Sequence, residues 1–324
     1  EFRDDDMATT TSREQRHVRL LIFGDSYVHD PSARSWADIT GERLGWRSLN
    51  VAVPGSSSRT LPRQLEHVRR LVRAGSVELH ETTWALVHTG GNDLLRSSAA
   101  DLYAVLRAAV ASALTCTGGG GGGGGAVGGR RTLCDEIADD VAVLLEGLES
   151  LGVHNVMLAG MPLTTSVPAV SQMLRSIAGD CSGLGALVLR RLNAFHLERL
   201  RSALRDAQAA GAEQGGRSLC LDEAALIDAS LRQVASRGEA CDGYWRDGMH
   251  LSQRGHAALA DEVVPVVQHA LGLAGRPGAA ARASAVGGGG GGGAWTCVSR
   301  LLCCSLDDDG APRTKWTALV TSER

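Results

Sequence analysis

Lysine is almost missing from this chain: of 33 basic residues among 324, only Lys315 is not arginine. A phosphate loop of the GxxxxGK[ST] kind needs a lysine behind its glycines, so that route to nucleotide binding is closed. Long apolar runs are missing as well. The longest candidate, residues 102–116, is interrupted by Arg107, and a membrane span needs about 18 or more consecutive apolar residues. A soluble protein with no stable membrane insertion is expected. Neither sign of charge dominates. The formal net charge is −3 and acidic and basic residues are interspersed, so nucleic acid is not an expected partner. The eight cysteines form no CxxC pair, which removes zinc-ribbon and thioredoxin-like motifs and leaves free thiols as the expectation. Aromatic residues, at 4%, are too few outside the motif regions to suggest a sugar-binding platform. The opening segment, EFRDDDMATTTSREQR, lacks the apolar stretch of a secretory signal, so a cytoplasmic location is expected.

What is present is ordinary globular material. Hydrophobic residues make up 44% and charged residues 21%, enough for a sizeable core. Much of the glycine lies in two runs, at 118–125 and 287–293. Residues 1–16 are polar and aperiodic and 276–324 are of low complexity, so both ends are expected to be disordered around a single domain over 17–275. The first glycine run lies between two helical patterns and cannot propagate either, so 115–133 is expected to be a flexible surface insertion. Within the domain, short β-branched runs alternate with segments of helical period, the pattern of an α/β fold with a parallel sheet. Five strands are expected, at 17–23, 48–53, 83–89, 154–160 and 217–222. Helices are expected at 35–45, 61–74, 98–114, 135–151, 184–210 and 252–273, the last kinked or divided by Pro265.

In open parallel sheets, ligands bind beyond the carboxyl ends of the strands. There the sequence reads Gly24-Asp25-Ser26, Pro54-Gly55-Ser56 and Gly90-Gly91-Asn92-Asp93, with Asp247-Gly248-Met249-His250 before the last helix. Acyl transfer needs a hydroxyl nucleophile, a base, a carboxylate to orient that base, and donors for the developing oxyanion. Ser26, His250 and Asp247 fit the first three roles, and the N–H groups of Ser26 and Gly55 with the Asn92 amide fit the fourth. Taken singly, Ser26 or Asp247 reads as a helix cap, Gly55 as a turn glycine and Asn92 as an Asx-turn residue. Their ordered placement at strand ends favours the catalytic reading. His29 reads as a solvated loop residue, and His88 as a hydrogen-bonded core or crevice residue and not a second base. Asp25 and Asp93 are expected to brace their turns through backbone N–H groups. The segment Met161-Pro162-Leu163-Thr164-Thr165 is a candidate wall for an acyl pocket.

These four blocks resemble the SGNH hydrolases, also called GDSL esterases and lipases. The resemblance runs through Phe23-Gly24-Asp25-Ser26, Asn50 to Gly55, Gly90 to Asp93 and Asp247 to Leu251, in the family's order, and covers about residues 17–275. Tyr27 stands where the family often has leucine. The resemblance implies a three-layer α/β/α, flavodoxin-like sandwich around a five-stranded parallel sheet. It also implies Ser26 as nucleophile, His250 as base, Asp247 as its orienting acid, and Gly55 and Asn92 in the oxyanion hole. Such a site requires no metal or organic cofactor. The expected partner is a small-molecule, lipid or carbohydrate ester. The same residues would serve acyl transfer to an alcohol, and a non-catalytic flavodoxin-like module holding a nucleotide or flavin is a further reading. No GxSxG nucleophile elbow is present, which disfavours a conventional α/β-hydrolase.

Overall fold

The structure is a computed structural model that describes residues 17–115, 131–178, 182–210, 216–273, 295–298 and 320–323. In chain order its elements begin β1 (His17–Phe23), α1 (Trp36–Arg43), β2 (Ser48–Asn50), α2 (Leu61–Arg73), β3 (Glu78–His88), α3 (Gly91–Leu95), α4 (Ala99–Thr115) and α5 (Leu133–Glu149). They continue with β4 (Asn155–Ala159), α6 (Pro168–Ala178), α7 (Ser182–Ala210), β5 (Ser218–Leu221), α8 (Glu223–Ser236), α9 (Gln253–Ala270), β6 (Trp295–Val298) and β7 (Val320–Glu323). The first five strands are parallel in the order β2-β1-β3-β4-β5, the flavodoxin-like arrangement. β6 joins β5 in parallel and β7 pairs with β6 antiparallel. These two strands fall in the tail expected to lack structure, the rest of which lies outside the described residues.

The period of two along each strand divides the core between the sheet's faces. Leu20, Ile22, Trp84, Leu86, Met157, Leu219 and Leu221 face α1, α8 and α9 through Trp36, Ile39, Ile227, Leu259 and Val263. Their alternates Leu21, Phe23, Ala85, Val87, Val156 and Leu158 face α2, α5 and α7 through Leu65, Val68, Val141, Leu144 and Leu200. Helices thus cover both faces, giving three layers. A third apolar cluster, formed by Val105, Met161, Leu163, Leu192 and Phe195, reaches Leu94, Trp245 and Met249.

Several boundaries differ from those expected. β2 ends at Asn50, while β3 begins at Glu78 and carries an irregularity where its pairing with β1 shifts between Val18 and Leu20. There the Thr83 hydroxyl donates to the Val18 carbonyl at 2.7 Å and accepts from the His80 N–H at 2.9 Å. α5 starts at Leu133, because Thr132 and Asp135 form a capping box in which each side chain bonds the other's backbone N–H. The glycine-rich connection therefore ends before Thr132, and residues 116–130 lie outside the described residues. α6 and α8 were not anticipated. α8 is capped by Asp222, whose carboxylate accepts from the Ala225 N–H at 3.1 Å. Pro265 does not divide the last helix. α9 runs through it as one element, with Leu259, Val263 and Val267 buried on the sheet, and that packing offsets the lost backbone hydrogen bond.

Candidate active site

Parallel strands all present their carboxyl ends at one edge, so β1, β2 and β3 deliver their following loops to the same place. After β1 the chain turns through Gly24. A Cβ there would run into the His88 carbonyl oxygen at the end of β3, so only glycine allows the two strand ends to approach this closely. The turn is then clamped by a buried side chain. Gln64 on α2 accepts from the Gly24 N–H at 2.9 Å and donates to the Gly24 carbonyl at 2.8 Å, and the Ser56 hydroxyl donates to that carbonyl at 2.9 Å. Gln64 shares the buried face of α2 with Leu61, Leu65 and Val68. A polar residue on an apolar stripe was the signal by which sequence reading could have found it.

Held in this way, the Ser26 hydroxyl lies 3.0 Å from His250 Nε2, although the two residues are 224 positions apart. His250 Nδ1 lies 2.8 Å from Asp247 Oδ2. The other oxygen of Asp247 accepts from the N–H groups of Met249 at 3.0 Å and His250 at 2.7 Å. This explains the spacing of three, since one carboxylate folds the turn and meets the ring that the turn presents. Burial pushes the Asp247 carboxyl up, but hydrogen bonds from the His250 N–H, the imidazole and the Met249 N–H, with the imidazole charge, hold it well below the usual carboxylate range. The loop is closed by a bridge between Trp245 and Leu251, and Arg246 ties it to Asp30 at 2.6 Å. Tyr27 adds a further link. Its hydroxyl donates to the Met249 carbonyl at 2.6 Å, and burial, with the Glu223 and Asp25 carboxylates nearby, pushes its pKa well above the ordinary value.

The oxyanion candidates reach the same edge. Gly55 adopts a φ of +73°, a conformation that L side chains rarely take, and its carbonyl accepts from Arg96 at 2.7 Å. Among the described residues, no hydrogen bond engages the N–H of Ser26 or of Gly55. The Asn92 amide is already committed, donating to the Ser56 carbonyl at 3.0 Å and to Asp25 Oδ2 at 3.2 Å. Asp25 also accepts from the Tyr27 N–H at 3.0 Å, and Asp93 accepts from the N–H and hydroxyl of Ser58. His88 is fully buried, 3.2 Å from Asp25 and 2.7 Å from Glu223. Glu223 escaped the sequence reading along with α8. Met161 and Leu163 are buried in the cluster that reaches Leu94 and Met249, the latter adjacent in sequence to His250. Among the described residues, no group of three or more His, Cys, Asp or Glu side chains is arranged to hold a metal ion, and no helix is long and apolar enough to cross a membrane.

A mostly parallel sheet with helices on both faces and a hydroxyl, imidazole and carboxylate aligned at its carboxyl edge is the architecture of a serine-dependent hydrolase. The chain belongs to the GDSL-like lipase/acylhydrolase family, with a match over residues 22–258. It is therefore a hydrolase of the GDSL, or SGNH, type. Among solved structures it is similar to a protein from Slackia heliotrinireducens described as a candidate SGNH hydrolase, with 14% identity and a TM-score of 0.39 over 78% of this chain and 99% of that one. It is also similar to a member of the lipolytic protein G-D-S-L family from Veillonella parvula DSM 2008, with 15% identity and a TM-score of 0.37 over 76% and 96% of the two chains. No curated protein matches.

Proposed function

We propose that the protein is a serine esterase acting on carboxylic esters through an acyl-enzyme. The observation that carries this reading is the line from Ser26 Oγ to His250 Nε2 at 3.0 Å and from His250 Nδ1 to Asp247 Oδ2 at 2.8 Å. With the Asp247 carboxylate accepting the Nδ1 proton, the Nε2 lone pair faces the serine hydroxyl, the tautomer a general base requires. Ser26 Oγ attacks the ester carbonyl as its proton passes to His250, and the oxyanion is held by the N–H groups of Ser26 and Gly55 with the Asn92 amide. Collapse expels the alcohol, which takes the proton from His250. Water then attacks the acyl-enzyme with His250 again as base, which returns Ser26 and releases the acid. For Asn92 to donate to the oxyanion, one of its present bonds must lengthen. The bond to the neutral Ser56 carbonyl is the one to yield, since the bond to the Asp25 carboxylate is charge-assisted. Met161, Leu163 and Met249 beside the site favour an apolar acyl group of short or medium length.

Fluorophosphonate labelling with peptide mapping tests this without knowledge of the substrate. Stoichiometric labelling at Ser26 that disappears in Ser26→Ala and His250→Ala is the expected result. A folded wild-type protein that takes up no label overturns the reading.

A further inference from the structure

His88 has no part in the steps above, yet it stands one residue removed from them. It ends β3 and its ring is fully buried, with Nδ1 3.2 Å from Asp25 Oδ1 and Nε2 2.7 Å from Glu223 Oε2. Tyr27 stacks on it with ring centroids 5.6 Å apart and 18° between planes. A second buried histidine, His196 on α7, interacts electrostatically with His88, and its own pKa is pushed down to about 4 by burial. Asp25 is the junction. Its carboxylate, 3% exposed and adjacent to the nucleophile, meets His88 with one oxygen and takes the Asn92 amide with the other.

This junction sets two requirements against each other. An oxyanion hole needs its amide donor held in one orientation before the reaction begins, and a carboxylate hydrogen bond does that well. A buried negative charge directly behind the donor also repels the charge that develops in the transition state, strongly where water is excluded. A cation on the far side of the carboxylate reconciles the two. Burial alone would keep His88 neutral, but the charges of Glu223 and Asp25, 2.7 and 3.2 Å from its ring nitrogens, raise its pKa well above the ordinary value. Glu223, in the first turn of α8, anchors the ring from the other side.

We propose that His88, clasped by Glu223, is a positioning residue: it holds Asp25 so that Asn92 keeps its aim, and it offsets the negative charge that Asp25 turns toward the oxyanion. The inference rests on the esterase mechanism proposed above.

The test is a double-mutant cycle read as kcat and KM for p-nitrophenyl butyrate in the wild type, H88Q, N92A and H88Q/N92A. Where this ester is not turned over, the second-order rate of fluorophosphonate labelling at Ser26 carries the same comparison. H88Q is expected to lower kcat about tenfold or more with KM within about twofold, and to cost less than about twofold once Asn92 is already alanine. Equal losses in both backgrounds, or a change confined to KM, overturn the proposal. If H88Q does not fold, ¹⁵N-histidine NMR of the wild type decides. Both ring nitrogens of His88 protonated at neutral pH support the charge offset, and a neutral ring overturns it. A wild type that is not labelled at Ser26 removes the esterase reading itself, whereas a labelled wild type with additive variants removes only the role given to His88.

Discussion

Asp247 divides its two oxygens between the backbone and the ring, and the division can be tested by chemistry. In Asp247→Asn the side-chain carbonyl still folds the turn, but the NH₂ group now faces Nδ1 and drives the proton to Nε2, where it blocks the base. We expect kcat to fall on the order of 10³- to 10⁴-fold with little change in the circular dichroism spectrum. The same carboxyl also makes stability depend on pH. Its folded pKa lies below its unfolded value, so its contribution is present above the unfolded value and is lost as pH falls through the folded one. The gap in urea midpoint between wild type and Asp247→Asn should therefore be widest near neutrality and narrow below about pH 4. A gap that widens in acid would refute the assignment. At position 92 the expected loss is smaller. Asn92→Ala removes one oxyanion donor and should lower kcat about 10²- to 10³-fold, measured beside a melting curve to show that the fold survives.

Among the elements, those that position the site are held by polar residues on otherwise apolar faces. Gln64 serves both the N–H and the carbonyl of Gly24. Gln64→Leu would leave the buried Gly24 N–H unsatisfied at the turn that carries Ser26, while the Gly24 carbonyl keeps its bonds from Ser56 and Val53. It should cost about 2 to 3 kcal/mol in chemical denaturation and slow labelling of Ser26. Thr132→Ala, at the cap of α5, should cost about 1 kcal/mol and leave that labelling rate unchanged, because the Thr132 hydroxyl bonds only Asp135 of its own helix and no residue of the site. The first four strands were legible because their short apolar runs end in Gly or Pro. α8 was not, although Asp222 followed by Ala224, Ile227 and Val234 is a cap with helical spacing. It follows β5 without a connecting loop, which hid its start. Pro265 misled for another reason: local propensity opposes a helix there, and tertiary packing of α9 prevails.

At the scale of the whole molecule, Ser26, Gly55, Asn92 and the 247–250 turn could be chosen from the sequence because each lies beside a recognisable strand end or helix start. Parallel topology then carries all of them to one edge without further information. The chain from Asn92 through Asp25 and His88 to Glu223 was hidden for the same topological reason. It crosses from β1 to β3 and on to Glu223, two residues past the end of β5, and that lateral order is fixed by which strands pair, not by any period along the chain. Both faces of the sheet are close-packed. Leu86→Ala should accordingly cost about 2 to 5 kcal/mol in denaturant while the folded fraction still labels at Ser26.

The bonds from Ser26 to His250 and from Tyr27 to Met249 join positions 224 and 222 residues apart. During synthesis the nucleophile thus leaves the ribosome long before its base, and closing so wide a loop belongs to the late, slow part of folding. A nascent chain halted before Asp247 carries a serine with nothing to deprotonate it. On the proposed mechanism, activity is withheld until the last helix is in place, so a product truncated by failed translation or by proteolysis ahead of that helix is expected to be inert.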